Sequence, residues 1–358
     1  METVIVIPSL EPDERLLPYV KDLQDAGYQM VVVDDGSGEK YQRIFADIAA
    51  LENVAVLHHE KNRGKGCALK TAYAYIEKSL PDAKWIITAD ADGQHTKEDV
   101  QKVEKAMKDG LKGLVLGSRD FKLSHVPKKS RYGNAITSFV FWLLYGVHCP
   151  DTQTGLRGFE RKWLRKMQEI KGERFEYEMT VLIDLSREKV PLPAVTIETV
   201  YENDNKGTHF DPIKDSIRIY KVIFGNFVKF ISSSMLSTGI DMGLAFVLLY
   251  VLNKMGVQPT WVRIFISTAV ARIVSATTNF LLNKNFVFHL KASGARTIHR
   301  YILLCIAIWA LSSGASALIN HVLHISEYIL LPIVNIALFF ISYRLQRNWV
   351  FNEKEMEK

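Results

Sequence analysis

Four long apolar stretches in the second half of the chain limit its fold more than any other feature: approximately Lys229 to Leu252, Trp261 to Leu282, Tyr301 to Leu323 and Tyr328 to Tyr343. Each is near the length of about 20 residues that a helix needs to cross a bilayer's hydrocarbon. There every backbone N–H and C=O must be satisfied inside the segment, so helices are expected and an open sheet is not. Up to about residue 210 charged and apolar residues alternate instead, as in a soluble α/β protein. The chain is read as a soluble domain over 1–210, an amphipathic segment over 211–226 and a membrane domain over 227–358.

The hydrophobic content of 48% is therefore unevenly spread, and the net charge of +6 takes its meaning from that split. A basic balance suits nucleic acid or an anionic lipid surface; the apolar half favours lipid, and no nucleic-acid partner is expected. Cys67, Cys149 and Cys305 are odd in number and lack metal-ligand spacing, which supports neither a disulfide frame nor a zinc site and suits a reducing cytoplasm. Met1-Glu2-Thr3 leads into an apolar segment too short for a signal peptide, so the soluble domain is expected to stay where it is made.

Within the soluble half, Val4 to Ile7 reads as a buried strand ending at Pro8, followed by a helix over Glu14 to Ala26 closed by Gly27. Met30 to Val33 is a second strand delivering Asp34-Asp35-Gly36-Ser37-Gly38. The third glycine of a dinucleotide fingerprint would fall at Tyr41, so that reading is rejected. Val54 to Leu57 is a third strand, followed by Asn62-Arg63-Gly64-Lys65-Gly66 at a helix start, where free backbone N–H groups can meet an anion or form a plain turn. A fourth strand, Trp85-Ile86-Ile87, opens into Asp90-Ala91-Asp92-Gly93-Gln94-His95, and a fifth, Leu114-Val115-Leu116, ends at Gly117-Ser118-Arg119. Strands alternating with helices predict a doubly wound, mostly parallel sheet whose acidic and basic side chains gather along one edge. Two carboxylates one residue apart can both reach a hard divalent cation where Gly93 lets the chain bend.

These four blocks, in this order and spacing, resemble the family 2 glycosyltransferases of the GT-A fold, and within them dolichyl-phosphate mannose synthase and the undecaprenyl-phosphate glycosyltransferases. The resemblance covers roughly the first 210 residues. It implies a nucleotide-sugar donor (UDP- or GDP-linked), a polyprenyl phosphate acceptor, and Mg²⁺ or Mn²⁺ as cofactor. It puts the metal on Asp90, Asp92 and Gln94, and the donor on Pro8, Asp34, Asp35, Lys65, Asp90 and Arg119. Acceptor contacts fall to Lys128, Lys129, Arg131 and Arg157. Asp92, Asp151, Arg119 and Arg131 are the expected catalytic set, with Asp151 in the block Asp151 to Phe159 that closes the site. The chain departs from the family after Pro8, where Ser9-Leu10-Glu11-Pro12 stands in place of Asn-Glu. Gln153 is not followed by the Gln-X-X-Arg-Trp pattern of processive synthases, which argues against polymerisation.

A phosphate monoester is largely dianionic near neutral pH and can attack an anomeric carbon without a strong general base. Charge management is the larger need, since an anionic nucleophile approaches an anionic diphosphate. Attack from the far side inverts the anomer. Ala135 to Val147, apolar but too short to span, is read as a core helix or one lying in the membrane interface, the second being favoured by the basic cluster before it.

Ile213, Ile217, Tyr220 and Phe224 fall on one helical face with Lys214, Arg218 and Lys221 between them, the pattern of a helix on an anionic membrane surface or against the soluble domain. Four crossings return the C terminus to the starting side. Lys284, Lys291, Arg296 and Arg300 between spans two and three, and Arg344, Arg347 and Lys354 after span four, make that side cytoplasmic, the catalytic domain included. Asn283-Lys284-Asn285-Phe286-Val287-Phe288 is echoed by Gln346-Arg347-Asn348-Trp349-Val350-Phe351, suggesting two related helix pairs. This half resembles the GtrA-like domain, a four-span family associated with polyprenyl-linked sugars. Asp241 and Arg272, near the middles of adjacent spans, are expected to pair, and Asn279, Asn320 and Asn335 to bond between helices.

The function expected is transfer of one sugar to polyprenyl phosphate at the cytoplasmic face, with the bilayer as a further partner and self-association of the chain left open. A rival is a lipid-sugar transporter whose soluble domain only recognises its cargo; the intact acidic motifs weigh against it.

Overall fold

Seven strands build one sheet in the order β3-β2-β1-β4-β6-β5-β7: β1 (Thr3–Ser9), β2 (Gln29–Asp34), β3 (Val54–His58), β4 (Trp85–Thr88), β5 (Val115–Arg119), β6 (Arg157–Glu160) and β7 (Ala194–Ile197). This computed structural model describes residues 2–121, 123, 126, 128–198, 211, 213–290, 295–323 and 326–352, without the side chains of Lys129, Leu323 and Glu327. The expected boundary at residue 210 and the basic residues Lys291 and Lys354 lie outside the described residues. The chain divides into two compact units, Met1–Ile223 and Phe224–Lys358.

In the first unit, β1 is buried along its whole length because helices cover both sheet faces, which is why it reads as an unbroken apolar run. The helices are α1 (Leu16–Asp25), α2 (Gln42–Ala49), α3 (Lys65–Ser79), α4 (Lys97–Lys108), α5 (Lys128–Tyr145), α6 (Leu164–Glu169) and α7 (Glu176–Arg187). A core of Ile5, Ile7, Leu16, Val20, Phe45 and Val103 lies between α1, α2, α4 and the sheet. Pairing is parallel except at β6, which runs antiparallel between β4 and β5 with Thr88 opposite Arg157. The reversal brings the loop before β6 to the edge where β4 ends.

Among the described residues four helices are long and apolar enough to cross a membrane: α8 (Lys214–Lys254), which starts in the first unit and continues into the second, and, in the second, α9 (Thr260–Leu282), α10 (Ala295–Leu323) and α11 (Glu327–Leu345). At 41 residues, α8 fuses the amphipathic segment and the first span into one helix. It would extend about 60 Å at 1.5 Å per residue, twice the hydrocarbon thickness. Its first turns pack on α5: Tyr220 Oη lies 3.3 Å from Thr137 Oγ1, and the Tyr145 hydroxyl donates to the Ile223 carbonyl at 2.7 Å. Ile213 and Ile217 stay exposed.

The sequence echo has a structural counterpart. Both α9 and α11 end in a five-residue π-helical turn, Asn283–Val287 and Gln346–Val350. The repeats meet through equivalent positions: Asn283 Nδ2 donates to Gln346 Oε1 at 2.9 Å, and the rings of Phe288 and Phe351 stack with centroids 5.3 Å apart. Asn279 accepts from Asn283 and from the Tyr301 hydroxyl, and Ser312 donates to Asn335, so these asparagines bond between side chains in the bundle. Asp241 and Arg272 pair at 3.2 Å, with Ser275 donating to Asp241 at 2.9 Å.

Candidate active site

In an open α/β sheet the ligand crevice lies beyond the carboxyl ends of the strands where the strand order reverses. Here that point falls between β1 and β4. Pro8 is buried near the end of β1 and pairs with Val33, Asp34 closes β2, and the Asp90 to His95 turn follows β4.

The turn brings two carboxylates together under unequal conditions. Gly93 takes φ +70°, the left-handed conformation that reverses the chain, and Asp92 Oδ1 accepts the Gln94 N–H at 3.1 Å. Asp90 is held on three sides. Lys65 Nζ, at the start of α3, meets Oδ1 at 2.7 Å; His95 Nε2 lies 3.4 Å from Oδ2; and the Cα of Gly155 is so near that a Cβ there would stand 2.3 Å from Oδ2. Gly155 is fixed in turn, because its carbonyl accepts the Thr88 hydroxyl at 2.7 Å.

Burial alone would raise the Asp90 pKa, but the Lys65 charge and His95 outweigh it and hold the carboxyl below the ordinary range. Asp92 goes the other way: burial and then the charge of Asp90 raise it. Lys65 loses by burial and regains more from Asp90 and from Glu178 Oε2, 3.0 Å away on α7, so its pKa is raised and it stays charged. Tyr19, on α1, has a buried hydroxyl without a hydrogen-bond partner among the described residues. Burial first, then the charges of Asp90, Asp92 and Asp99, raise its pKa, leaving a neutral phenol beside the acids. Lys65 belongs to the expected site; Glu178, Gly155, His95 and Tyr19 were given no role from sequence.

Of the acidic pair at the end of β2, Asp35 is directed inward. Asp35 is buried and accepts from the N–H groups of Arg63 (2.9 Å) and Gly64 (2.7 Å), with His59 Nδ1 at 2.7 Å. Its carboxylate secures the loop before α3, where a donor contact was expected. Asp34 accepts the Ser37 N–H at 2.9 Å and lies 3.0 Å from His58 Nδ1, closer to the surface.

At the end of β5, Arg119 forms a two-pronged pair with Asp151, Nε to Oδ2 at 2.7 Å and Nη2 to Oδ1 at 2.9 Å. Asp151 is fully buried and also accepts the Gln153 N–H at 3.1 Å. Its carboxylate orients Arg119. Arg157 is 4% exposed, and its guanidinium donates to the carbonyls of Thr154 (2.9 Å) and Glu178 (2.8 Å), which braces the loop before β6. Arg131, on α5, donates to the Leu123 carbonyl at 2.8 Å, and Lys128 is exposed at the start of that helix. The Lys129 side chain lies outside the described residues. The outer face of α5 carries Tyr132, Ile136, Phe139 and Trp142, all exposed, while Phe141, Leu144 and Tyr145 are buried.

Among the described residues no three His, Cys, Asp or Glu side chains form a metal cluster. A magnesium-type site does not need one, since that ion keeps several waters and takes one or two carboxylates plus substrate phosphates. Asp90 and Asp92 fit it: they are hard oxygen donors, close enough for one to raise the pKa of the other, a repulsion that a cation would relieve.

Residues 4–168 match the family model described as Glycosyl transferase family 2, and residues 224–351 match the GtrA/DPMS transmembrane domain. The chain is 35% identical over 205 residues to an uncharacterized protein of Methanocaldococcus jannaschii, covering 56% of this chain and 82% of that one. It is 30% identical over 221 residues to a UDP-N-acetylglucosamine–dolichyl-phosphate N-acetylglucosaminyltransferase of Methanococcus voltae, covering 55% and 85%. With a dolichyl-phosphate beta-glucosyltransferase of Homo sapiens the identity is 26% over 217 residues, covering 54% and 65%.

Proposed function

The chain belongs to glycosyl transferase family 2, with a GtrA-type membrane domain behind its catalytic domain, and we propose that it moves one sugar from a nucleotide sugar to polyprenyl phosphate. The observation that carries this reading is the acid pair Asp90 and Asp92 at the sheet's switch point, in a chain that continues into four membrane-length helices.

A phosphate oxygen of the acceptor attacks the anomeric carbon from the face opposite the diphosphate. The bond from that carbon to the diphosphate oxygen breaks, its electron pair leaves with the nucleotide, and the anomer inverts. No proton has to move, because the nucleophile is already ionised. Asp90 and Asp92, with Gln94, would hold Mg²⁺ or Mn²⁺, which when bound neutralises charge on the departing diphosphate. Arg119, kept in one orientation by Asp151, presents a fixed guanidinium to phosphate. Arg131 and Lys128, at the start of α5, steady the acceptor headgroup. The exposed apolar face of α5 suits a helix lying in the membrane interface, which keeps the acceptor phosphate at the level of the acids.

A cytoplasmic active site agrees with the basic residues Lys284, Arg296, Arg300, Arg344 and Arg347. Arg300 donates to the Trp349 carbonyl at 2.9 Å, which sets the start of α10 beside the end of α11 on one side of the bundle.

The test is to incubate the purified chain in detergent with a panel of UDP- and GDP-sugars and a short polyprenyl phosphate, and weigh the lipid. A gain of one sugar residue is expected with at least one donor. A lipid unchanged by every donor would overturn the reading in favour of a transporter, since detergent abolishes translocation and leaves transfer intact.

A further inference from the structure

Resting on the metal-holding role proposed for Asp90 and Asp92, we infer that Lys65 is a resident counter-ion that competes with the divalent cation for Asp90, and that Glu178 is the positioning residue that receives the displaced ammonium. Asp90 has little choice of partner in this structure. Its Oδ1 is bonded to Lys65 at 2.7 Å, its Oδ2 faces His95 at 3.4 Å, and Gly155 closes the third side, so the carboxylate cannot turn away to serve two cations. A divalent ion and an ammonium sharing one oxygen at such distances repel strongly. One of them has to yield, and Lys65, on a flexible four-carbon stem, is the one that can move.

The second acceptor is already built. Glu178 Oε2 lies 3.0 Å from Lys65 Nζ, with both side chains at least 85% buried. The Glu178 side chain on α7 is itself buried, where an unpaired carboxylate would be costly. Its backbone carbonyl is gripped by Arg157 at 2.8 Å, which fixes the helix on that side. Lys65 can thus release Asp90 without entering water or losing its counter-charge. It remains beside the acids, charged, where a donor diphosphate would arrive. The arrangement keeps the acid pair from standing uncompensated when no cation is bound, and it makes metal uptake a local exchange of partners.

The experiment measures Mn²⁺ uptake by the full chain in detergent without nucleotide, by calorimetry and by the paramagnetic resonance signal of free Mn²⁺. Lys65→Met is expected to tighten uptake about tenfold, by removing the competitor. Glu178→Gln is expected to weaken it severalfold, because Lys65 then has only Asp90. In an Asp90→Asn background the gain from Lys65→Met should vanish, since the contested carboxylate is gone. Unchanged uptake in Lys65→Met, or an equal gain in the Asp90→Asn background, would overturn the inference while leaving the metal site standing. Wild-type chain that takes up no Mn²⁺ at all would overturn the metal role of the acids, and this exchange with it. Should Lys65→Met fail to fold, Glu178→Gln decides alone: weakened uptake supports the exchange and unchanged uptake refutes it.

Discussion

Gly155→Ala tests how far activity depends on the position of one carboxylate. The new Cβ would lie 2.3 Å from Asp90 Oδ2 and 2.5 Å from Oδ1, and restoring an ordinary contact of 3.4 Å requires about 1.1 Å of movement. The backbone of residue 155 cannot supply it easily, being tied to Thr88 and followed by the buried Leu156. Asp90 therefore moves, and its contact with Lys65 stretches. Overpacking of this kind costs about 1–3 kcal/mol, or several degrees in melting temperature at roughly 2–4 °C per kcal/mol for a domain of this size. The effect on transfer should be larger, since a misplacement of about 1 Å at a reacting centre can cost on the order of 10²-fold in rate. Initial rates with lipid phosphate and a thermal melt would be measured side by side, with Gly225→Ala, where a Cβ meets nothing within 4 Å, as control. A folded Gly155→Ala protein that turns over within about twofold of wild type would refute the claim that Asp90 must sit where it does.

Asp92→Asn should abolish transfer yet melt higher than wild type at neutral pH without metal. The folded-state pKa of Asp92 is raised, so its ionisation opposes folding above that value and ceases to matter below the ordinary carboxylate range near 3.9; an equal melting temperature at both pH extremes would contradict this. Arg119→Lys keeps the charge but loses the two-pronged pair with Asp151, and at least a tenfold loss in kcat/KM is expected; wild-type kinetics would remove Arg119 from the site. Arg157→Lys should lower stability by about 1–3 kcal/mol for carbonyls left unsatisfied, seen as a lower melting temperature with little change in KM for the lipid; a selective rise in that KM would show that Arg157 acts on the acceptor instead.

The strands of the parallel sheet were legible because a strand buried on both faces needs an unbroken apolar run, and Val4 to Ile7, Met30 to Val33 and Trp85 to Ile87 are such runs. Acids and glycine follow the second and third of these runs, at the sheet edge where the candidate site lies. β6 was not legible: Arg157 to Glu160 is four residues long, includes Gly158 and shows no alternation, so the antiparallel insertion that turns Gly155 toward Asp90 left no local trace. Charge alone also left the partners of Asp35 and Arg157 unseen. Both residue types suit a ligand, and only burial reveals that backbone groups already occupy them. Glu178 carried no distinct signal, since Thr180 and Asp184 also interrupt the stretch Tyr177 to Leu185, and its partner Lys65 is far away in sequence. In the membrane half the six-residue echo was readable directly, because equivalent positions such as Asn283 and Gln346 have to meet each other.

The most direct measurement is the mass of the polyprenyl phosphate after incubation with a nucleotide sugar, for wild type and Asp92→Ala, before and after divalent ions are stripped by a chelator. Wild type is expected to give a lipid heavier by one sugar, to lose it on chelation and to regain it with Mg²⁺ or Mn²⁺, and a folded Asp92→Ala chain is expected to give no product at any stage. Sugar transfer by Asp92→Ala at the wild-type rate, or by wild type in full after chelation, would contradict this.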